Sequence, residues 1–221
     1  MIMRPYIYIY LVIAAVFLLN RCDRWDETAD ISHESYLPQF NMTGGEYISF
    51  VRSDSVEFKD PGVEVTVQGK KVNWYYLYVP DIDLATPGVY IISYYAENSE
   101  GFSRIADRIV AVTYEDISEN DLSGTYEGTL WEPLVKSKVK KINDEGFYKC
   151  EDVLGYPGYS MPGKFVDLGE NTLILLPGEG YFGNYDVSEG SYSGRILSWS
   201  VIFLDPPNEG IEIPVTWRKI E

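Results

Sequence analysis

The side chains able to do chemistry are few in kind. The chain holds one histidine, His33, and two cysteines, Cys22 and Cys150. A Ser-His-Asp or Cys-His relay needs an imidazole to take the nucleophile's proton, and His33 stands in a polar run ahead of the first strand-like segment. Such relays are excluded within a folded domain, and so is a His-rich zinc site. Carboxylates are plentiful, 34 against 18 Lys and Arg. Glycosidase chemistry needs two of them at a defined separation, and no motif marks such a pair. The acids Glu115, Asp116, Glu119 and Asp121 lack the alternating spacing of a Ca²⁺ loop and read as a solvated linker. The sequence therefore predicts a non-catalytic protein with no cofactor and no metal. Its net charge of −16 repels phosphate backbones, which argues against a nucleic-acid partner.

What remains for recognition is aromatic. Aromatic residues make up 15% of the chain, 19 of them Tyr. Their flat faces stack on the apolar C–H faces of sugar rings while the hydroxyls stay wet. Three stretches carry them. In 73–79, "NWYYLYV", strand alternation puts Trp74, Tyr76 and Tyr78 on one face and Tyr75 on the other; the competing role is core on one side and a covered domain junction on the other. The stretch 150–165 combines glycines and prolines with Tyr156 and Tyr159. The stretch 178–194 displays Tyr181, Phe182, Tyr185 and Tyr192 among five glycines. Tyrosines on glycine-rich loops make binding surfaces when a rigid scaffold holds them, and they also occur in any turn-dense β protein. The candidate ligand-binding residues are Trp74, Tyr76, Tyr78, Tyr156, Tyr159, Tyr181 and Tyr185. A polysaccharide or an envelope protein is the expected partner.

The elements that must position these residues read as strands throughout. Tyr, Val, Ile, Thr and Gly dominate, and helical periodicity is missing. The fold class is all-β. The region 37–114 shows short strands between turn signals: Val63, Val65 and Val67 at period two, then a long hairpin from Pro87-Gly88 to Tyr114 turning at Asn98–Gly101. Its spacing suits an immunoglobulin-like β-sandwich. After the acidic linker 115–121, region 122–221 reads as a second antiparallel β domain, a sandwich or a small closed barrel. "LSGTYEGTLW" opens it, with Tyr126, Gly128 and Leu130 on one face. "GRILSWSVIF" and "IEIPVTWRKI" close it as an antiparallel meander, with Leu197, Trp199, Val201 and Phe203 on one face of the first and Ile211, Ile213, Val215 and Trp217 on one face of the second. A closed barrel with an empty apolar interior would make a small-ligand carrier.

The N-terminus has the three parts of a secretory signal: Arg4, an uncharged run over 6–19, and a polar break at Asn20-Arg21. The run is short of the roughly 20 apolar residues of a permanent span. With Leu19 three residues before Cys22, "LLNRC" resembles the lipobox of bacterial lipoproteins, although Asn20 and Arg21 depart from the family's small residues. The alternative is an uncleaved anchor with a chance cysteine. The resemblance implies a signal peptide over 1–21, lipidation of Cys22 and a membrane anchor there. Residues 22–36 would form a polar tether. "DRWDE" after the cysteine is similar to the acidic export signal of Bacteroidetes-type surface lipoproteins, which implies the outer membrane, on its periplasmic or cell-surface face.

The first domain resembles the bacterial immunoglobulin-like repeat of those lipoproteins. The resemblance rests on Asp60-Pro61-Gly62-Val63, on "PGVYIISYYA" (87–96) and on "RIVAV" (108–112). Region 122–221 is similar to the uncharacterised β domain often paired with that repeat, through "GTYEG", "GFYKCEDVLGY" and the closing "LSWSV" and "VTWRKI". Both resemblances imply architecture and no chemistry. Asp54-Ser55-Val56 also matches the short O-glycosylation motif of Bacteroidetes.

Overall fold

The structure is a computed structural model that describes residues 34–221. The signal segment, Cys22 and most of the tether lie outside the described residues. Within them every regular element is a strand.

The first unit has two facing sheets. The first is three-stranded, in the order β1 (Gln39–Met42), β3 (Val63–Val67), β4 (Lys70–Lys71). The second is four-stranded, in the order β2 (Tyr47–Val51), β7 (Ser103–Thr113), β6 (Gly88–Glu97), β5 (Trp74–Tyr78). β2 runs parallel to β7, and the other pairs are antiparallel. Alternation buries Phe40, Met42 and Val63 from one sheet against Ile48, Phe50, Ile92, Tyr94 and Val110 from the other. Such period-two patterning is what fixes register when only one face is apolar.

A charge pair lies in this core. Arg108, fully buried on β7, pairs with Asp60 and donates to the carbonyls of Thr43 (2.8 Å) and Gly62 (2.9 Å). Asp60 also accepts from the hydroxyls of Tyr94 (2.9 Å) and Tyr76 (2.8 Å). The Asp60-Pro61-Gly62-Val63 turn and the Arg108-Ile109-Val110 strand are thus two ends of one buried network that ties the sheets together.

The second unit is a closed antiparallel barrel of eight strands. Around it run β8 (Gly124–Gly128), β9 (Lys136–Lys141), β10 (Phe147–Cys150), β11 (Gly163–Gly169), β12 (Thr172–Leu175), β15 (Ser188–Ser193), β16 (Ile196–Ile202) and β17 (Glu212–Lys219). Closure comes from the last strand pairing with the first, Trp217 opposite Gly128. A small hairpin of β13 (Gly178–Gly180) and β14 (Gly183–Tyr185) stands in the β12–β15 connection. β8 ends at Gly128, so Leu130 and Trp131 belong to the following loop and not to the strand that the sequence predicts.

Eight strands leave an interior that side chains fill, and here they do. Tyr148, Phe165, Trp199 and Trp217 form a column of rings 5.1–6.5 Å apart. The 151–162 loop folds inward as a plug, burying Val153, Leu154 and Met161 among them. A filled interior removes the carrier reading.

The two units share a core. Ile109 and Ala111 on the outer face of the second sheet pack on Phe147, Val166, Leu168 and Leu176 of the barrel wall. Glu145 accepts from the Ser49 amide (3.0 Å) and hydroxyl (2.6 Å), and Asn143 donates to the Tyr47 carbonyl (3.0 Å). The acidic segment 115–121 joins the units with Glu115 and Glu119 exposed, but Ile117 is buried. Asn120 donates to Asp167 (2.9 Å) and accepts from the Tyr148 hydroxyl through its carbonyl (3.0 Å).

Candidate binding site

The structure divides the aromatic candidates. In β5 a register shift falls between Tyr76 and Tyr78: Tyr76 lies opposite Tyr94, yet Tyr78 lies opposite Ser93. The extra residue of a bulge turns the chain by one face. Tyr78 therefore leaves the face of Trp74 and Tyr76 and joins that of Tyr75, which corrects the single-face expectation. Trp74 is half-buried and packs edge-on against Tyr94 (5.6 Å) and Tyr76 (5.2 Å). Tyr76 spends its hydroxyl on Asp60. Tyr78 stays exposed, and on the same outer face Tyr75 stacks on Tyr95 at 4.8 Å.

The loop tyrosines come together. At the barrel end away from the first unit, all four connections contribute a ring: Trp131 from β8–β9, Tyr156 and Tyr159 from β10–β11, Tyr181 and Phe182 from β12–β15, and Phe203 from β16–β17. Trp131 meets Tyr156 at 5.4 Å, and Tyr159 meets Tyr181 at 4.1 Å. Phe182 sits at the centre, 5.5 Å from Tyr156, 5.6 Å from Tyr159 and 6.2 Å from buried Phe203. Tyr181 is 66% exposed, Tyr156 and Tyr159 about 40%. This is an aromatic platform with its foot in the core and its faces in water. Tyr185 does not join it. Its ring is buried, and its hydroxyl donates to the Pro162 carbonyl at 3.1 Å.

Local chemistry explains the geometry. Tyr181-Phe182 is the turn of the β13–β14 hairpin, between Gly180 and Gly183. A Cβ on Gly180 would stand 2.7 Å from Met161 Cγ, so only glycine lets the hairpin lie on the plug. The plug is held by Asp152, whose Oδ1 accepts from the amides of Leu154 (2.9 Å), Gly155 (3.1 Å) and Met161 (3.3 Å). Trp199 adds a bond from its indole to the Val153 carbonyl at 2.8 Å. Trp131 is the residue that sequence reasoning missed. The signal was there in Glu132-Pro133, which ends the strand pattern and puts the tryptophan in a loop.

Cys150 points inward beside the plug, with its thiol toward the Gly163 carbonyl. Burial, with the Asp152 charge adding to it, pushes the thiol up to about 12. Since the thiolate is the nucleophile, a Cys22→Ala form of the chain should leave Cys150 unlabelled by a thiol reagent at pH 8. The urea-unfolded chain should react at once, and rapid labelling of the native form would contradict the assignment.

The fold and site define the class: a two-part all-β protein with a plugged eight-stranded barrel capped by an aromatic platform. No protein-family model and no curated protein matches the chain. Among solved structures, the crystal structure of the lipoprotein BT2262 from Bacteroides thetaiotaomicron is similar over 82% of this chain and 100% of that one, at 20% identity and a TM-score of 0.35.

Proposed function

We propose that this is a non-catalytic cell-envelope lipoprotein, anchored through Cys22 in the outer membrane, whose barrel end binds glycans. The observation that carries the reading is the convergence of Trp131, Tyr156, Tyr159, Tyr181 and Phe182 from three separate connections onto one exposed surface. Aromatic rings that stay exposed while fixed by a packed support lose little entropy on binding, and they suit the mixed apolar and polar faces of sugars. Replacing Tyr159 and Tyr181 with Ala should weaken retardation in affinity electrophoresis on the responsive polysaccharide roughly tenfold, while the melting temperature falls by only a few degrees. No retardation of the parent protein on any polysaccharide would defeat the reading. Loss of radiolabelled palmitate on Cys22→Ala would support the anchor.

A second reading is a structural or adhesion module that contacts other envelope proteins. It draws on the outer face beside β5, an edge strand, where Tyr75, Leu77, Tyr78, Val79 and Ile105 are all about half exposed. Apolar residues along an unpaired edge invite pairing with another chain. A stoichiometric envelope protein recovered by pull-down, with no glycan binding, would favour it.

A further inference from the structure

The wall of the barrel carries a charge arrangement that the net −16 conceals. Six of the chain's ten lysines fall on three neighbouring strands: Lys136, Lys138, Lys140 and Lys141 on β9, Lys149 on β10 and Lys164 on β11. Register sets Lys140 opposite Lys149, and Lys149 opposite Lys164. Three cationic side chains thus form a row across the wall, one strand spacing of about 4.8 Å apart. All three point outward, because Val139, Tyr148 and Phe165 beside them face the core. Like charges directly opposite one another destabilise a sheet. Lysine is often used to guard a sheet edge, but a closed barrel has none. Lys138, Lys140 and Lys149 make no ion pair with any described residue. Lys164 is held in place by the Tyr47 hydroxyl, with Glu46 at 4.0 Å.

The row lies in a groove of about 540 Å³, bounded by Pro162, Gly178 and Glu179. Past Lys164 and Pro177 the groove runs into the cleft between the two units, about 630 Å³, where Arg104 adds a further cation. Acids are present, Glu151 and Glu179 in the groove and Glu46 and Asp107 in the cleft, but none stands in the row itself.

We propose that this groove binds an acidic polysaccharide, with its carboxylates or sulfates on Lys140, Lys149 and Lys164. A row three strands wide matches a single flexible chain with charges spaced one per sugar or fewer. It does not match a nucleic-acid duplex, which brings a charge every 1.7 Å or so and would press the excess against an acidic body. The site shares its ligand class with the barrel-end reading but rests on different residues, and either can fail alone.

The test uses the full chain in detergent, with polygalacturonate, a neutral glucan and a short DNA duplex as probes. Polygalacturonate should retard the parent protein, and raised salt should weaken the retardation, since the contacts are screened charges. Lys140→Gln with Lys149→Gln should weaken it roughly tenfold and leave the melting temperature unchanged or higher, because the variant removes repulsion. Lys70→Gln with Lys71→Gln, which removes the same charge from exposed β4 outside the groove, should leave polygalacturonate binding within about twofold. The proposal is overturned by an absence of retardation, by equal binding of the glutamine variant, or by a duplex that binds as tightly as polygalacturonate. Polygalacturonate binding lost in the Tyr159→Ala, Tyr181→Ala variant and kept in the glutamine variant would assign recognition to the barrel end and remove the groove.

Discussion

Asp60→Ala should be the most damaging single change in the first unit, lowering stability by about 3–5 kcal/mol. The carboxylate is the counter-charge of Arg108, which has no exposure to water. Removing it leaves a guanidinium in the core with the Thr43 and Gly62 carbonyls as its hydrogen-bond acceptors and the Tyr94 ring 5.7 Å away. The hydroxyls of Tyr94 and Tyr76 lose their acceptor in the same step. For a protein of this size the melting temperature should fall by roughly 6–20 °C. The companion experiment separates the cost of an unpaired charge from the worth of the pair. Asp60→Leu with Arg108→Met takes both charges away and should recover much of the loss, since buried ion pairs often add little over apolar residues of similar volume. A single variant melting within 2 °C of the parent would show that water reaches Arg108. That would undo the account of Asp60-Pro61-Gly62-Val63 as a structural motif.

Asp152→Ala is the corresponding change in the barrel. Three buried amides lose their acceptor, each lost bond costing about 1–3 kcal/mol when nothing replaces it. Some will find other partners, so a loss of about 3 kcal/mol and a fall of roughly 6–12 °C are expected. The consequence for function is larger than the stability alone implies. The plug that Asp152 holds carries Tyr156 and Tyr159 at its tip and supports Phe182 from below. Glycan retardation at the barrel end should fall with it, although Asp152 lies beneath the surface.

The same carboxylate has a defined pH behaviour. Burial, opposed by its three amide bonds, raises the pKa of Asp152 above the ordinary carboxylate value. Its other oxygen, Oδ2, is buried with no partner among the described residues. A raised folded-state pKa means that the folded chain binds the proton more tightly than the unfolded one. The stability from this group is therefore complete below the unfolded pKa and is lost as pH rises through the folded value. Asp152→Asn keeps an acceptor and abolishes the titration. Its stability relative to the parent should improve as pH rises from about 4 to 7; a gap that widens instead would reverse the assigned sign. Asp167 has a pKa raised for the same first reason, burial, and remains in both proteins.

Much of the architecture was legible because strands advertise themselves at period two. Val63–Val67, the β6–β7 hairpin and the β16–β17 pair each show one apolar face in the sequence, and each packs that face inward. Alternation fails where the backbone adds a residue, and that is why strand periodicity alone puts Tyr78 on the wrong face. A bulge leaves no mark in residue type when its residues are all large and apolar or aromatic. Among the loop aromatics, the glycines around Tyr181 signalled a tight turn. They could not tell which tyrosine would point out, so Tyr185 looked equivalent to Tyr181.

The sequence by itself determined the β class, the scarcity of histidine and cysteine, the acidic total and the aromatic supply, because each is a matter of composition or local period. The tertiary structure alone decided three things. It closed region 122–221 into a barrel, since closure depends on β17 reaching β8 and no local pattern encodes that pairing. It filled the barrel with a loop, which turned a possible cavity into a support for exposed rings. And it aligned Lys140, Lys149 and Lys164, whose positions 140, 149 and 164 look unrelated along the chain. Sheet register brings such distant residues side by side, so a protein whose total charge repels anions still holds a local row of cations.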